Sequence, residues 1–152
     1  MKKQTELLNK IAAELFEKIG SKASFTVLYD KETETFNIDI EGGDETGLLI
    51  GRKGENLLSI QTVLGLIYKS MNGDWVRIVV NVGDYKEKEE EYLKGLADSA
   101  ASRAKETGEP QSLYNLKPGQ RRIVHMYLSE DSGVVSESEG EGRDRYLVVK
   151  PK

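Results

Sequence analysis

Apolar residues recur at helical spacing at the start of the chain, at Leu7, Leu8, Ile11, Leu15 and Ile19, with Lys and Glu between them. This pattern predicts an amphipathic helix that stops at Gly20-Ser21. Phe25 to Tyr29 is aromatic and β-branched and reads as a strand. After a polar turn over residues 30–34, Phe36, Ile38 and Ile40 alternate with Asn37 and Asp39, the signature of a strand with one wet face. Residues 46–50 begin a short helix that Gly51 to Gly54 interrupts. Leu57, Ile60, Leu64 and Ile67 carry a longer helix to Asn72-Gly73. Trp75 to Val82 follows as a third strand, with Val76, Ile78, Val80 and Val82 on one face.

From Asp84 the period lengthens into a long helix whose stripe is Tyr92, Leu93, Leu96, Ala97, Ala100, Ala101 and Ala104. Its small residues imply close packing, and Thr107-Gly108 with Pro110 ends it. A short strand is expected over residues 112–116. Pro118 suits the start of a helix that buries Ile123, Val124, Tyr127 and Leu128. Residues 134–138 and 146–150 read as paired strands. The natural boundary is Gly83-Asp84, which gives domains of residues 1–83 and 84–152 in an α+β chain.

Composition narrows the chemistry. The 152 residues contain no cysteine, so disulfides, thiolate catalysis and cysteine-based zinc sites are excluded. A single histidine, no phosphate-binding P-loop and no His-Glu-x-x-His spacing leave an enzyme as the weakest reading, with no catalytic residue and no cofactor expected. No apolar run is long enough for a bilayer and no signal-peptide core follows Met1, so a cytoplasmic protein without membrane insertion is expected. The net charge of −4 argues against nucleic acid until its distribution is considered. Carboxylates concentrate in residues 30–45, 84–91 and 130–141. Arg103, Lys105, Lys117, Arg121 and Arg122 face only Glu106 and Glu109 between residues 100 and 129.

The sharpest motif is Gly51-Arg52-Lys53-Gly54. Glycines without Cβ let another backbone approach, Gly54 opens a helix whose N–H groups favour phosphate, and Arg52 and Lys53 project from the tip. Helix, strand, strand, helix, GxxG, helix, strand resembles the type II KH domain over roughly residues 4–82, a module that clamps single-stranded backbone. The resemblance implies a base-holding groove lined by Ile50, Leu57 and Ile40.

Downstream, Arg121 and His125 stand four apart on one helix face, flanked by Gln120 and Arg122. Arg121 offers a charged fork for phosphate, and His125 can donate a hydrogen bond or stack on a base. The Arg-x-x-x-His spacing after Lys117-Pro118-Gly119 resembles the small α/β R-three-H domain, over roughly residues 84–152. KH followed by R-three-H resembles the Jag, or SpoIIIJ-associated, family of bacteria, as do the stretches at residues 112–118 and 145–151. That resemblance implies a bacterial RNA-binding regulator linked to cell elongation and shape, with a small KH protein as partner. It also implies an N-terminal domain and linker that this sequence lacks, as a natural short form or an excised fragment would.

The expected RNA-binding residues are therefore Ile50, Gly51, Arg52, Lys53, Gly54, Leu57, Arg121, Arg122 and His125. The expected partner is single-stranded RNA, or single-stranded DNA, with a homodimer or a heterodimer as the assembly. The competing class is a protein-interaction or dimerisation module with little RNA binding. It draws on the acidic patches, on Trp75 facing outward, and on the first helix as a docking face.

Overall fold

The computed structural model describes residues 2–152. They fall into two compact units, the first ending at Lys86 and the second running from Glu87 to Lys152.

In the first unit, helix α1 (Lys2–Lys18) precedes strands β1 (Ser24–Asp30) and β2 (Thr35–Glu41). Two helices, α2 (Thr46–Ile50) and α3 (Glu55–Asn72), then lead into β3 (Arg77–Val82). β1 and β2 form an antiparallel hairpin, and β3 lies parallel to β2, so β3 is an edge strand. The alternation read in β2 is real: Phe36, Ile38 and Ile40 are buried while Asp39 is exposed. They join Leu8, Ile11 and Phe16 of α1 and Leu64 and Tyr68 of α3 in one core. α1 thus turns its large apolar residues into its own unit, and Ile19, just past its end, is exposed.

β3 is shorter than its sequence pattern. Its first paired residue, Arg77, stands opposite Thr35, where β2 itself begins, so Trp75 and Val76 have no strand to pair with. Gly73, in the left-handed region, closes α3 just before them.

The second unit is built on α4 (Tyr85–Thr107), whose start lies in the first unit. β4 (Gln111–Leu113), α5 (Pro118–Leu128), β5 (Val134–Glu139) and β6 (Tyr146–Pro151) follow. The strands form an antiparallel sheet in the order β4-β6-β5. Leu93, Ala97, Ala100, Ala101 and Ala104 of α4 pack with Val124, Leu128, Val134, Leu147 and Val149.

Three expectations change here. Tyr92 is 68% exposed, because it lies a full helical step from the Leu93-Ala97-Ala100-Ala104 line, and Leu96 is only half-buried. β4 stops at Leu113 rather than residue 116, since Asn115 takes a φ of +60 that a strand does not allow. On α5, Val124 and Leu128 are fully buried, whereas Ile123 and Tyr127 are half-buried.

Candidate nucleic-acid interface

The first cationic site is made by backbone geometry. Gly51 adopts φ +70 and ψ −176, a combination open essentially to glycine alone, and Gly54 adopts φ +73 as the N-cap of α3. Lys53 between them also has positive φ, so the chain turns tightly and carries Arg52 and Lys53 out as exposed side chains. Both glycines are hemmed in. A Cβ on Gly51 would stand 2.5 Å from Cγ of Asn56, and one on Gly54 would stand 2.7 Å from the Tyr85 hydroxyl.

Asn56 ties the loop together by donating from Nδ2 to the Leu48 carbonyl, 2.7 Å away. No side chain caps the N-terminus of α3, so the N–H groups of its first turn point out beside the loop, with Glu55 as the one carboxylate of that turn. The arrangement can hold an anion between two cations and the positive end of an 18-residue helix.

The residues named for the groove separate. Ile40 is 1% exposed and Leu57 9%, and both belong to the core, while Ile50 is half-buried against it. An open cleft of about 370 Å³ instead lies beside α2, lined by Ile19, Leu48, Leu49 and Ile60 with Ser21 and Asn56. Glu45 bounds the same cleft. The Ser21 hydroxyl and the Lys22 N–H both donate to its carboxylate and hold its pKa below the usual value.

The second cationic site is made by side chains. Arg121 and His125 lie on α5, but each is tied into the fold. Arg121 donates from Nη1 to the carbonyls of Leu116 at 2.7 Å and Arg145 at 3.3 Å, so it ties the chain before α5 to the chain before β6. His125 shares a 2.7 Å hydrogen bond through Nδ1 with the Ser136 hydroxyl of β5. Its ring remains exposed, as does Arg122. Gln120 holds the start of α5, accepting from the Lys117 N–H and donating to Glu89.

Glu137 and Glu139 alternate with Ser136 along β5 and so occupy the opposite face of this sheet. There they pair with Lys150 at 2.7 and 3.0 Å, and Tyr146 donates to Glu139. These hydrogen bonds from Lys150 depress the Glu139 carboxyl and raise the Lys150 ammonium. A phosphate would meet two carboxylates on that face, whereas the α5 side presents Arg122 and His125.

Sequence reasoning missed Asn56 and Tyr85 beside the loop and Ser136 beside His125, and it named Gln120 only as a neighbour of the Arg121/His125 face. Gln120 alone had a local signal, a Gln three residues after the helix cap. Among the described residues, no helix is long and apolar enough to cross a membrane, and no group of three His, Asp or Glu side chains is placed to hold a metal ion.

Comparison with known proteins agrees with the two units. Residues 5–81 match the family model described as KhpA/KhpB, KH domain, and residues 91–151 match the R-three-H domain. The RNA-binding protein KhpB of Clostridium symbiosum is 30% identical over 139 residues, 91% of this chain and 62% of that protein. The protein of the same name from Bacillus subtilis strain 168 is 30% identical over 138 residues, 90% of this chain and 65% of its own. In that of Lactiplantibacillus plantarum, 29% identity extends over 86% of this chain but 40% of the relative. The chain thus spans less than two thirds of the length of the curated relatives it matches. With more than half of its length matched by the KH model and the R-three-H unit following directly, the chain belongs to the Jag family of KhpB-type KH proteins.

Proposed function

We propose that this protein is a non-catalytic, cytoplasmic single-stranded RNA-binding regulator that grips phosphate on the Gly51–Gly54 loop. The observation that carries this reading is the loop itself. Two left-handed glycines present Arg52 and Lys53 at the uncapped N-terminus of a long helix. Ile50 borders the grip. Leu57 and Ile40 support it from within the core.

Arg122 and the exposed ring of His125 supply a second contact surface, with Arg121 setting its shape and contributing its remaining guanidinium nitrogens. The name of the relatives, RNA-binding protein KhpB, supports the same substrate class. Because the chain carries a net charge of −4, affinity from a few phosphate contacts is modest and salt-sensitive.

The test is the double variant Arg52→Asp/Lys53→Asp, titrated with single-stranded RNA at several salt concentrations. Loss of two phosphate contacts lowers the slope of log affinity against log salt by about 1.4. Binding and slope equal to wild type would overturn the assignment of the loop.

A second reading, a protein-interaction module with a homodimer or small-KH-protein partner, is favoured by exposed Leu48 (72%) and Met71 (56%). A stable dimer with no RNA affinity at low salt would replace the first reading with this one.

A further inference from the structure

The two faces of the second sheet differ in what they carry. Val134, Leu147 and Val149 turn toward α4 and α5, while Tyr146, Val148 and Lys150 alternate onto the other face. Leu113 pairs with Leu147, so Tyr114 and Tyr146, the next residues along each chain segment, meet on that other face at the end of the sheet. Their ring centroids are 4.8 Å apart, with the planes inclined by 35°. Tyr146 lies against one side of the Tyr114 ring, whose 61% exposure leaves the other side to solvent.

The pair is braced rather than loose. Tyr146 donates its phenol hydrogen to Glu139, its partner across the sheet, and the charge of Glu139 raises the phenol pKa and keeps it a donor. Lys150 holds the same carboxylate at 3.0 Å and offsets its charge. This end of the sheet is also where Arg121 is anchored. Its two acceptor carbonyls belong to Leu116, two residues after Tyr114, and to Arg145, one residue before Tyr146.

Charge and aromatic surface are thus sorted around one corner. The loop entering β6 sets Arg143 and Arg145 against Glu141 and Asp144 and adds no net charge, whereas α5 carries Arg121 and Arg122 and no carboxylate. A phosphate therefore suits the α5 side. An open phenol ring suits a base, because every base has a π face and stacking on it tolerates any sequence.

We propose that Tyr114, backed by Tyr146, stacks one unpaired base of single-stranded RNA whose phosphate lies toward Arg121 and Arg122. The inference rests on the RNA-binding reading above and adds an aromatic platform to its second contact surface. Ser136, which holds His125, stands three residues along β5 from Glu139, roughly 10 Å at the strand rise. His125 and Tyr114 therefore meet different nucleotides.

Stacking releases no counterion, so its loss has a signature that loss of a cation lacks. Labelled single-stranded RNA is titrated with the full chain at several salt concentrations. Tyr114→Ala and Tyr114→Leu should each weaken binding on the order of tenfold, with the slope of log affinity against log salt unchanged. Tyr114→Phe keeps the ring and should bind like wild type. Thermal melts matching wild type show that the variants fold. In the chain labelled with 3-fluorotyrosine, the Tyr114 resonance, assigned by its absence from Tyr114→Phe, should shift as RNA binds.

An unmoved Tyr114 resonance, with Tyr114→Ala binding like wild type, overturns this site and leaves the loop to be decided by its own Arg52→Asp/Lys53→Asp titration. Absence of any binding by wild type removes both. A shallower salt slope in Tyr114→Ala would mean that the ring acts by placing Arg121. A resonance that shifts with protein concentration alone would assign the ring to a second copy of the chain. Either of these results also overturns the proposal.

Discussion

The two cationic sites reach a similar surface by opposite means. At the Gly51–Gly54 loop the glycine backbone does the positioning, and the exposed cations project from it. On α5 a cation does the positioning, since Arg121 binds two carbonyls and its neighbours Arg122 and His125 are left to face outward. Under the proposed function, charge at the loop is a binding feature laid over a backbone scaffold. Charge at Arg121 is part of the scaffold. Substitutions should separate these roles, because the first site loses stability through its glycines and the second through its arginine.

The largest expected effect is at Gly54. A valine there would have to hold φ near +73 and place its Cβ against the Tyr85 phenol. Left-handed strain and overpacking together cost about 3 kcal/mol. Trp75 lies in the same unit, so its emission during chemical denaturation reads the loss directly. Arg52→Ala should leave that midpoint unchanged. If Gly54→Val melts like wild type, the loop is not the braced structure described.

A smaller effect is expected at Arg121. Replacing it with Met keeps the aliphatic stem and removes the two carbonyl bonds, which costs about 2 kcal/mol. Arg122→Ala should stay within about 0.5 kcal/mol, as surface changes do. Amide exchange across β4, β5 and β6 measures both. Equal protection in the two variants would show that Arg121 is no clamp and return it to the role of a simple phosphate fork.

These contrasts also explain what could be read from the sequence. The sequence pattern located each α-helix and strand, because residues such as Phe36-Ile38-Ile40 and Leu57 with Leu64 obey the strand and helix repeats that burial imposes. It overran β3 at Trp75, since a strand ends where its partner ends and the partner is distant in sequence, and it overran β4 at Tyr114, just before the positive φ of Asn115. The same limit hid the braces of each site. Tyr85 meets Gly54 across 31 positions, and Ser136 meets His125 across 11. Arg-x-x-x-His showed that two polar residues share a helix face, but not that the arginine would turn back onto the carbonyls of Leu116 and Arg145.

The smallest effect concerns acid, and it touches both units. Glu45 accepts from the Ser21 hydroxyl and the Lys22 N–H, and these bonds hold its carboxyl below the ordinary 4.5. Asp131 accepts from Lys105 and the Gly133 N–H and is likewise held below 3.8. Each group ionises more readily when folded, so its contribution is fully present above its unfolded pKa and is lost as pH falls through the lowered folded value. Glu45→Gln and Asp131→Asn should therefore each be less stable than wild type at neutral pH, with the difference closing in acid. Closure should begin near pH 4.5 for Glu45 and lower for Asp131. Denaturation midpoints across this range, followed by Trp75 emission for the first unit and amide exchange for the second, give the two curves. A difference that stayed constant with pH would mean that the amide lost shape or packing rather than charge. The α1–β1 corner that Glu45 holds beside the 370 Å³ cleft would then depend on side-chain fit alone.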